Sequence, residues 1–118
     1  MITVTNGKQT GFVGEDKIYI GRYNKSYNLS KSSLYNPYKI GEDGDRNEVI
    51  NKYRKYLLNN TKYQNNSITK ELNRLVDLYR DKGKLELVCW CKPLACHGDV
   101  IKEYLESIYA DIFRIYSR

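Results

Sequence analysis

Apolar and polar residues alternate singly at two places early in the chain, Ile2 to Thr5 and Lys17 to Arg22. A period of two predicts short strands, because successive strand side chains point to opposite faces. Gly7, Gly11 and Gly14 fall between them and predict a glycine-rich turn region. Tyr23 to Asp45 shows no sustained period and is rich in Asn, Ser, Gly and Tyr, so it reads as a long irregular connection. Connections of that length in small domains are often functional. The period then lengthens. Asp45 followed by Glu48 resembles a capping box, and Val49, Ile50, Tyr53, Tyr56 and Leu57 share one face of a helix from about Arg46 to Leu58. The amides of Asn59 to Asn66 compete for backbone hydrogen bonds and interrupt it. Ile68, Leu72, Leu75, Val76 and Tyr79 restart the stripe, and Gly83 closes it. Leu85 to Trp90, broken only by Glu86, predicts a buried strand. Pro93 blocks helix continuation, and Val100, Ile101, Tyr104, Leu105, Ile108 and Ile112 form a third helical stripe starting just past Gly98. For Asp111 to Arg118 the pattern fits either an extension of that helix or a further strand.

Strands separated by helices predict a small α/β fold, a single domain over residues 1–118 with a short mixed or partly parallel sheet flanked by about three helices. Ligand sites in such sheets gather at the carboxyl ends of strands. Gly21-Arg22 and Cys89-Trp90-Cys91 both stand at such ends, which would bring an arginine and the thiols to one crevice. At 41% hydrophobic and 29% charged residues the composition is globular and excludes a disordered chain. No run approaches the roughly 20 apolar residues of a membrane helix. The beginning Met-Ile-Thr-Val-Thr-Asn lacks the basic-then-apolar layout of a signal peptide, so the expectation is a cytoplasmic protein with reduced thiols, of open oligomeric state. A net charge of +6 favours phosphate-bearing partners. The 12 tyrosines supply rings that either pack or stack on planar ligands.

All three cysteines and the only histidine lie within Cys89 to Asp99. Two chemistries fit this cluster. Cys89, Cys91, Cys96 and His97 make a donor set for zinc, although Cys-x-Cys and an adjacent Cys-His would strain a tetrahedral chelate. Alternatively, Cys96 and His97 sit at the mouth of a helix, where free N–H groups and the dipole lower a thiol's pKa and attract anions. In an enzyme built this way Cys91 or Cys96 is the nucleophile and His97 the general base. Asp99 then orients His97 or only complements the dipole, and Gly98 permits close backbone approach. The bland alternative is that the cysteines are small buried hydrophobes. Trp90, pointing away from its cysteine neighbours by strand alternation, reads as core.

With Ile20-Gly21-Arg22, Asn36-Pro37-Tyr38, Gly44-Asp45-Arg46 and Cys-Trp-Cys-x-Pro-x-x-Cys-His-Gly-Asp in this order, the chain resembles the domain of unknown function family numbered 4326, found in bacteriophages and bacteria. The resemblance runs from Ile18 to about Leu105. It implies a set of pattern positions: Gly21, Arg22, Asn36, Pro37, Arg46, Cys89, Cys91, Pro93, Cys96, His97, Gly98 and Asp99. The chain departs by Tyr38, where phenylalanine is common, and by a serine- and tyrosine-rich insertion before it. The planar forks of Arg22 and Arg46 match phosphate or carboxylate in two-point contacts. Together with Gly21, Asn36 and Gly98 they would line an anion pocket for a nucleotide or related phosphate ester, with Tyr35 and Tyr38 stacking on a base. The expectation is a protein that binds, and as an enzyme would process, such a ligand. In a phage, it would sequester a host nucleotide signal in the host cytoplasm as counter-defence. Two rivals stand beside it: a nucleic-acid-binding module using Lys52, Arg54, Lys55 and Lys62 around the first long helix, and a structural adaptor stapled by zinc.

Overall fold

The computed structural model describes residues 1–116, with side chains placed through Asp111. Its elements run β1 (Ile2–Asn6), α1 (Gly7–Thr10), β2 (Lys17–Tyr19), α2 (Arg46–Asn60), α3 (Ser67–Lys82), β3 (Leu85–Cys89) and α4 (His97–Tyr116). The sheet is three-stranded with the order β1-β3-β2, and both pairings are parallel, not mixed. Leu85, Leu87, Val88 and Cys89 are all buried, as expected of a central parallel strand covered on both faces.

Alternation sorts the sheet into two faces. Ile2, Val4, Ile18, Ile20, Leu85, Leu87 and Cys89 point into the main core. There they meet Tyr53 and Leu57 of α2, Leu72 and Leu75 of α3, and Val100, Ile101 and Leu105 of α4. Thr5, Glu86 and Tyr19 belong to the other face, which the segment after β1 covers. Glu86 accepts hydrogen bonds from Thr5 Oγ1 at 2.8 Å and Thr10 Oγ1 at 3.3 Å. The Phe12 ring lies 4.5 Å from that of Trp90 and 5.9 Å from that of Tyr19.

The helix boundaries have local causes. Asp45 accepts the Glu48 N–H at 2.9 Å and Glu48 accepts the Asp45 N–H at 3.1 Å, the reciprocal capping box the spacing predicts. Gly83 ends α3 at φ 74°, in the left-handed region that glycine enters without steric cost. Two boundaries differ from expectation. The glycine-rich turn contains the four-residue α1, and α4 begins at His97, before Gly98. The helix extends through Tyr116, which decides the fate of the chain from Asp111 to that point, while residues 117 and 118 lie outside the described residues.

The connection 23–45 is irregular but anchored. Leu29 and Leu34 are buried, and the Tyr53 hydroxyl donates to the Leu34 carbonyl at 2.7 Å. Arg22 Nη2 donates to the carbonyls of Asn36 at 2.6 Å and Tyr38 at 3.2 Å.

Candidate functional site

Because every strand of the sheet is parallel, the ends of β1, β2 and β3 share one edge, and the cysteine turn leaves from it. Asn6 at the end of β1 donates from Nδ2 to the carbonyls of Trp90 at 3.1 Å and Lys92 at 3.0 Å, fixing the start of the turn. The chain returns at Cys96, whose carbonyl accepts the Asp99 N–H at 3.1 Å. The Asp99 carboxylate reaches back to the Cys96 N–H at 3.1 Å and takes a second bond from Lys92 Nζ at 2.6 Å. Asp99 therefore closes the start of α4, the second of the two roles open to it, and its carboxylate bonds Cys96 and Lys92 rather than His97. Gly98 presses this first turn onto the sheet. A Cβ there would lie 2.8 Å from Val4 Cγ1 and 2.9 Å from Ile20 Cδ1, and the requirement for glycine is one of space.

His97 crosses to β2's end. Its Nε2 lies 2.8 Å from the Ile20 carbonyl oxygen, which can only accept, so the ring carries its proton on Nε2 and Nδ1 is bare. The ring stands edge-on to Tyr53 at 4.9 Å. Burial lowers its pKa to about 4, and the nearby charge of Arg22 pushes the same way. At neutral pH the imidazole is uncharged and is a weak base.

Cys89 and Cys96 meet beside it, with sulfurs 3.4 Å apart and the Cys96 thiol donating to Cys89. That bond is the main reason the Cys89 thiol is lowered to about 6. The N–H groups of Cys91 and Lys92 and the Lys92 charge assist it against burial. Cys96 is pushed up, by the bond it gives to Cys89, by burial and by Cys89's charge. The acidic thiol of the pair is thus Cys89, which the sequence offers as a metal ligand and a family position but not as the nucleophile, whereas Cys96 keeps its proton. Cys91 is half-buried and packs against the core. Among the described residues no three His, Cys, Asp or Glu side chains converge on a point that would hold a metal ion. The expected set of Cys89, Cys91, Cys96 and His97 does not form such a group.

These groups border a cavity of about 390 Å³. Gly21, Arg22, Asn36, Tyr38, Arg46, Cys89, Cys91, Cys96 and His97, all singled out from the sequence, line it. Tyr35, Gly98 and Asp99 do not. Tyr35 sits under Lys31, whose Nζ is 4.9 Å from its ring. Lys39, Tyr19, Tyr23, Asn24, Ile50 and Trp90 also line the cavity and were not foreseen. Lys39 and Asn24 sit in a stretch without period, so no pattern marked them. Trp90 is only half-buried: its Nε1 donates to the Tyr19 hydroxyl at 2.9 Å, which leaves its ring at the cavity wall rather than deep in the core.

The ionisable groups of the walls are mainly cationic, with the acidic Cys89 thiol set against them. Arg22, Lys39 and Arg46 are present and no Asp or Glu is among the lining residues. Each arginine spends one nitrogen on a loop, Arg22 as described and Arg46 through Nη1 to the Ala95 carbonyl at 2.9 Å. Among the described residues neither enters an ion pair. Two guanidinium groups, a lysine, the start of a long helix and several rings around one hollow suit a planar anion.

The chain belongs to the family described as Domain of unknown function (DUF4326), whose model matches residues 4–107. No curated protein and no solved structure matches it.

Proposed function

We propose that this cavity binds a nucleotide-like, phosphate-bearing ligand and holds it without forming a covalent bond. The supporting observation is the lining itself: Arg22, Lys39 and Arg46 with no carboxylate among them, beside the rings of Tyr38 and Trp90. A volume of about 390 Å³ lies within the range common for small-molecule sites. Holding is favoured over turnover because the acidic Cys89 thiol is buried against Cys96 and the only imidazole is poorly suited to act as a base. His97 has its pKa lowered to about 4 and its Nε2 committed to a backbone carbonyl, and Asp99 is spent on capping α4. In a phage, a small protein that captures a host nucleotide signal in the cytoplasm would serve counter-defence by mass action alone.

Trp90 is the only tryptophan and borders the cavity, so its fluorescence reports occupancy directly. Titration with nucleoside 5′-monophosphates is expected to give a saturable change, and the matching nucleosides to bind about tenfold to a hundredfold more weakly. That is the loss of a charge-assisted hydrogen bond worth roughly 1.5–3 kcal/mol. Arg46→Gln is expected to bring the nucleotide toward the nucleoside's affinity. Equal affinities for nucleotide and nucleoside would overturn the reading. Recovery of chemically unchanged ligand after denaturation separates capture from conversion.

A further inference from the structure

A second hollow, of about 670 Å³, opens on the outer side of α2. It adjoins the first at Tyr38, which lines both. Its walls carry Lys52, Lys55, Lys62 and Tyr56, again with no acidic residue. Lys52 Nζ is held at this junction, 2.6 Å from the Asp43 carbonyl oxygen and 5.9 Å from the centre of the Tyr38 ring. Tyr38 and Tyr56 stand edge to face at 6.1 Å. Lys55 and Lys62 are exposed, and among the described residues neither enters an ion pair. Arg54, on the same helix, is different: it is matched by Glu103 at 2.5 Å and contributes no spare charge. The two hollows together present three cations and then three more, interleaved with tyrosine rings and free of carboxylates.

From Arg46 to Lys55 is nine residues of α2, about 14 Å along the axis at ~1.5 Å per residue. A single nucleotide in the first cavity cannot reach that far. At the ~3.4 Å per nucleotide of a stacked strand, the distance takes on the order of four nucleotides. Alternating rings and cations along a groove are what single strands use, since bases stack on aromatic faces while lysines follow the phosphates.

We propose that the protein's ligand is a nucleotide within or at the end of a single-stranded nucleic acid, seated in the first cavity while neighbouring phosphates run past Tyr38 along Lys52, Lys55 and Lys62. This rests on the nucleotide reading of the first cavity and extends it to a class of ligand. The second hollow supplies affinity through charge, and the first supplies the choice of base or terminus.

The test compares thymidine 5′-monophosphate with a short oligothymidylate and the matching oligouridylate, each titrated over a series of salt concentrations against the wild type and the double variant Lys55→Gln/Lys62→Gln. Both lysines are exposed, so the variant keeps its core. Support consists of an oligomer of either sugar binding at least about tenfold tighter than the monophosphate, with the variant leaving the monophosphate's affinity unchanged. In the variant, the oligomer's slope of log affinity against log salt becomes shallower by about 1.4, two contacts at ~0.7 each. Equal affinities for oligomer and monophosphate overturn the proposal while sparing the nucleotide reading. An unchanged slope, or displacement of the oligomer by polyglutamate at equal charge, overturns it too. Failure of the monophosphate to bind the wild type at any salt locates the failure in the first cavity instead.

Discussion

His97 is a neutral ring held by a carbonyl that has no proton to give. Its folded pKa of about 4 lies below the ordinary 6.5, so between those values the unfolded chain binds more protons than the folded one. Stability from this group is therefore complete above pH 6.5 and lost as pH falls toward 4, by about 3 kcal/mol in all. Because the chain has one histidine, its imidazole resonances are unambiguous in NMR. They are expected to hold their neutral shifts from pH 7.5 down to pH 5 in the folded protein. A midpoint near 6.5 would refute the buried, carbonyl-bound ring. At this scale the sequence was informative about chemistry and silent about roles. The reactive side chains were legible because they are few and clustered in eleven residues. That Cys89 rather than Cys96 is the acidic partner of that pair was not, since it depends on two sulfurs meeting at 3.4 Å across a turn.

The start of α4 shows how an element can be nearly legible and still be misplaced. The apolar stripe from Val100 predicts the helix, and Gly98 looks like the residue before it. Yet Asp99 turns back onto the Cys96 N–H and lets the helix begin at His97. Gly98 is thereby inside the first turn, against Val4 and Ile20. Gly98→Ala is expected to cost about 1–3 kcal/mol, as overpacking of a filled contact does, and to lower the melting temperature by roughly 5 °C or more. Gly14→Ala is the control: a Cβ there meets only the flexible Lys17 chain, at 3.1 Å, and the melting temperature should barely change. Equal behaviour of the two variants would show that the helix does not bear on the sheet through that residue. The long helices were readable for the opposite reason to α1. Their stripes repeat over three or four turns, with caps at Asp45 and Gly83, whereas Gly7 to Thr10 carry no period at all.

For the molecule as a whole, the shared edge of a parallel sheet is what gathers residues 22, 46 and 89 to 97 around one hollow. That much followed from strands alternating with helices, because ligand crevices form at carboxyl ends. The order β1-β3-β2 did not follow, since periodicity says which residues face a core and not which strands are neighbours. Nor did the position of the loop that carries Asn36, Tyr38 and Lys39, which is set by long-range bonds from Arg22 and Tyr53. Tyr53 makes this dependence testable, because it is fully buried and does not line the cavity. Burial pushes its phenol well above the usual range, so at any ordinary pH it is a hydroxyl that donates to Leu34. Tyr53→Phe leaves that carbonyl without its partner, a loss of about 1–3 kcal/mol, and frees the loop that forms one wall of the site. For the wild type, on the proposed reading of the cavity, a nucleotide at about 100 times its Kd is expected to contribute ~2.7 kcal/mol and to raise the melting temperature by roughly 10 °C. For Tyr53→Phe the unliganded melting temperature is expected to fall. The ligand-induced rise at the same concentration should shrink as well, because part of the binding energy goes into re-ordering the loop. A variant that is less stable yet shows the full wild-type rise would mean that the wall is held in place without this hydroxyl.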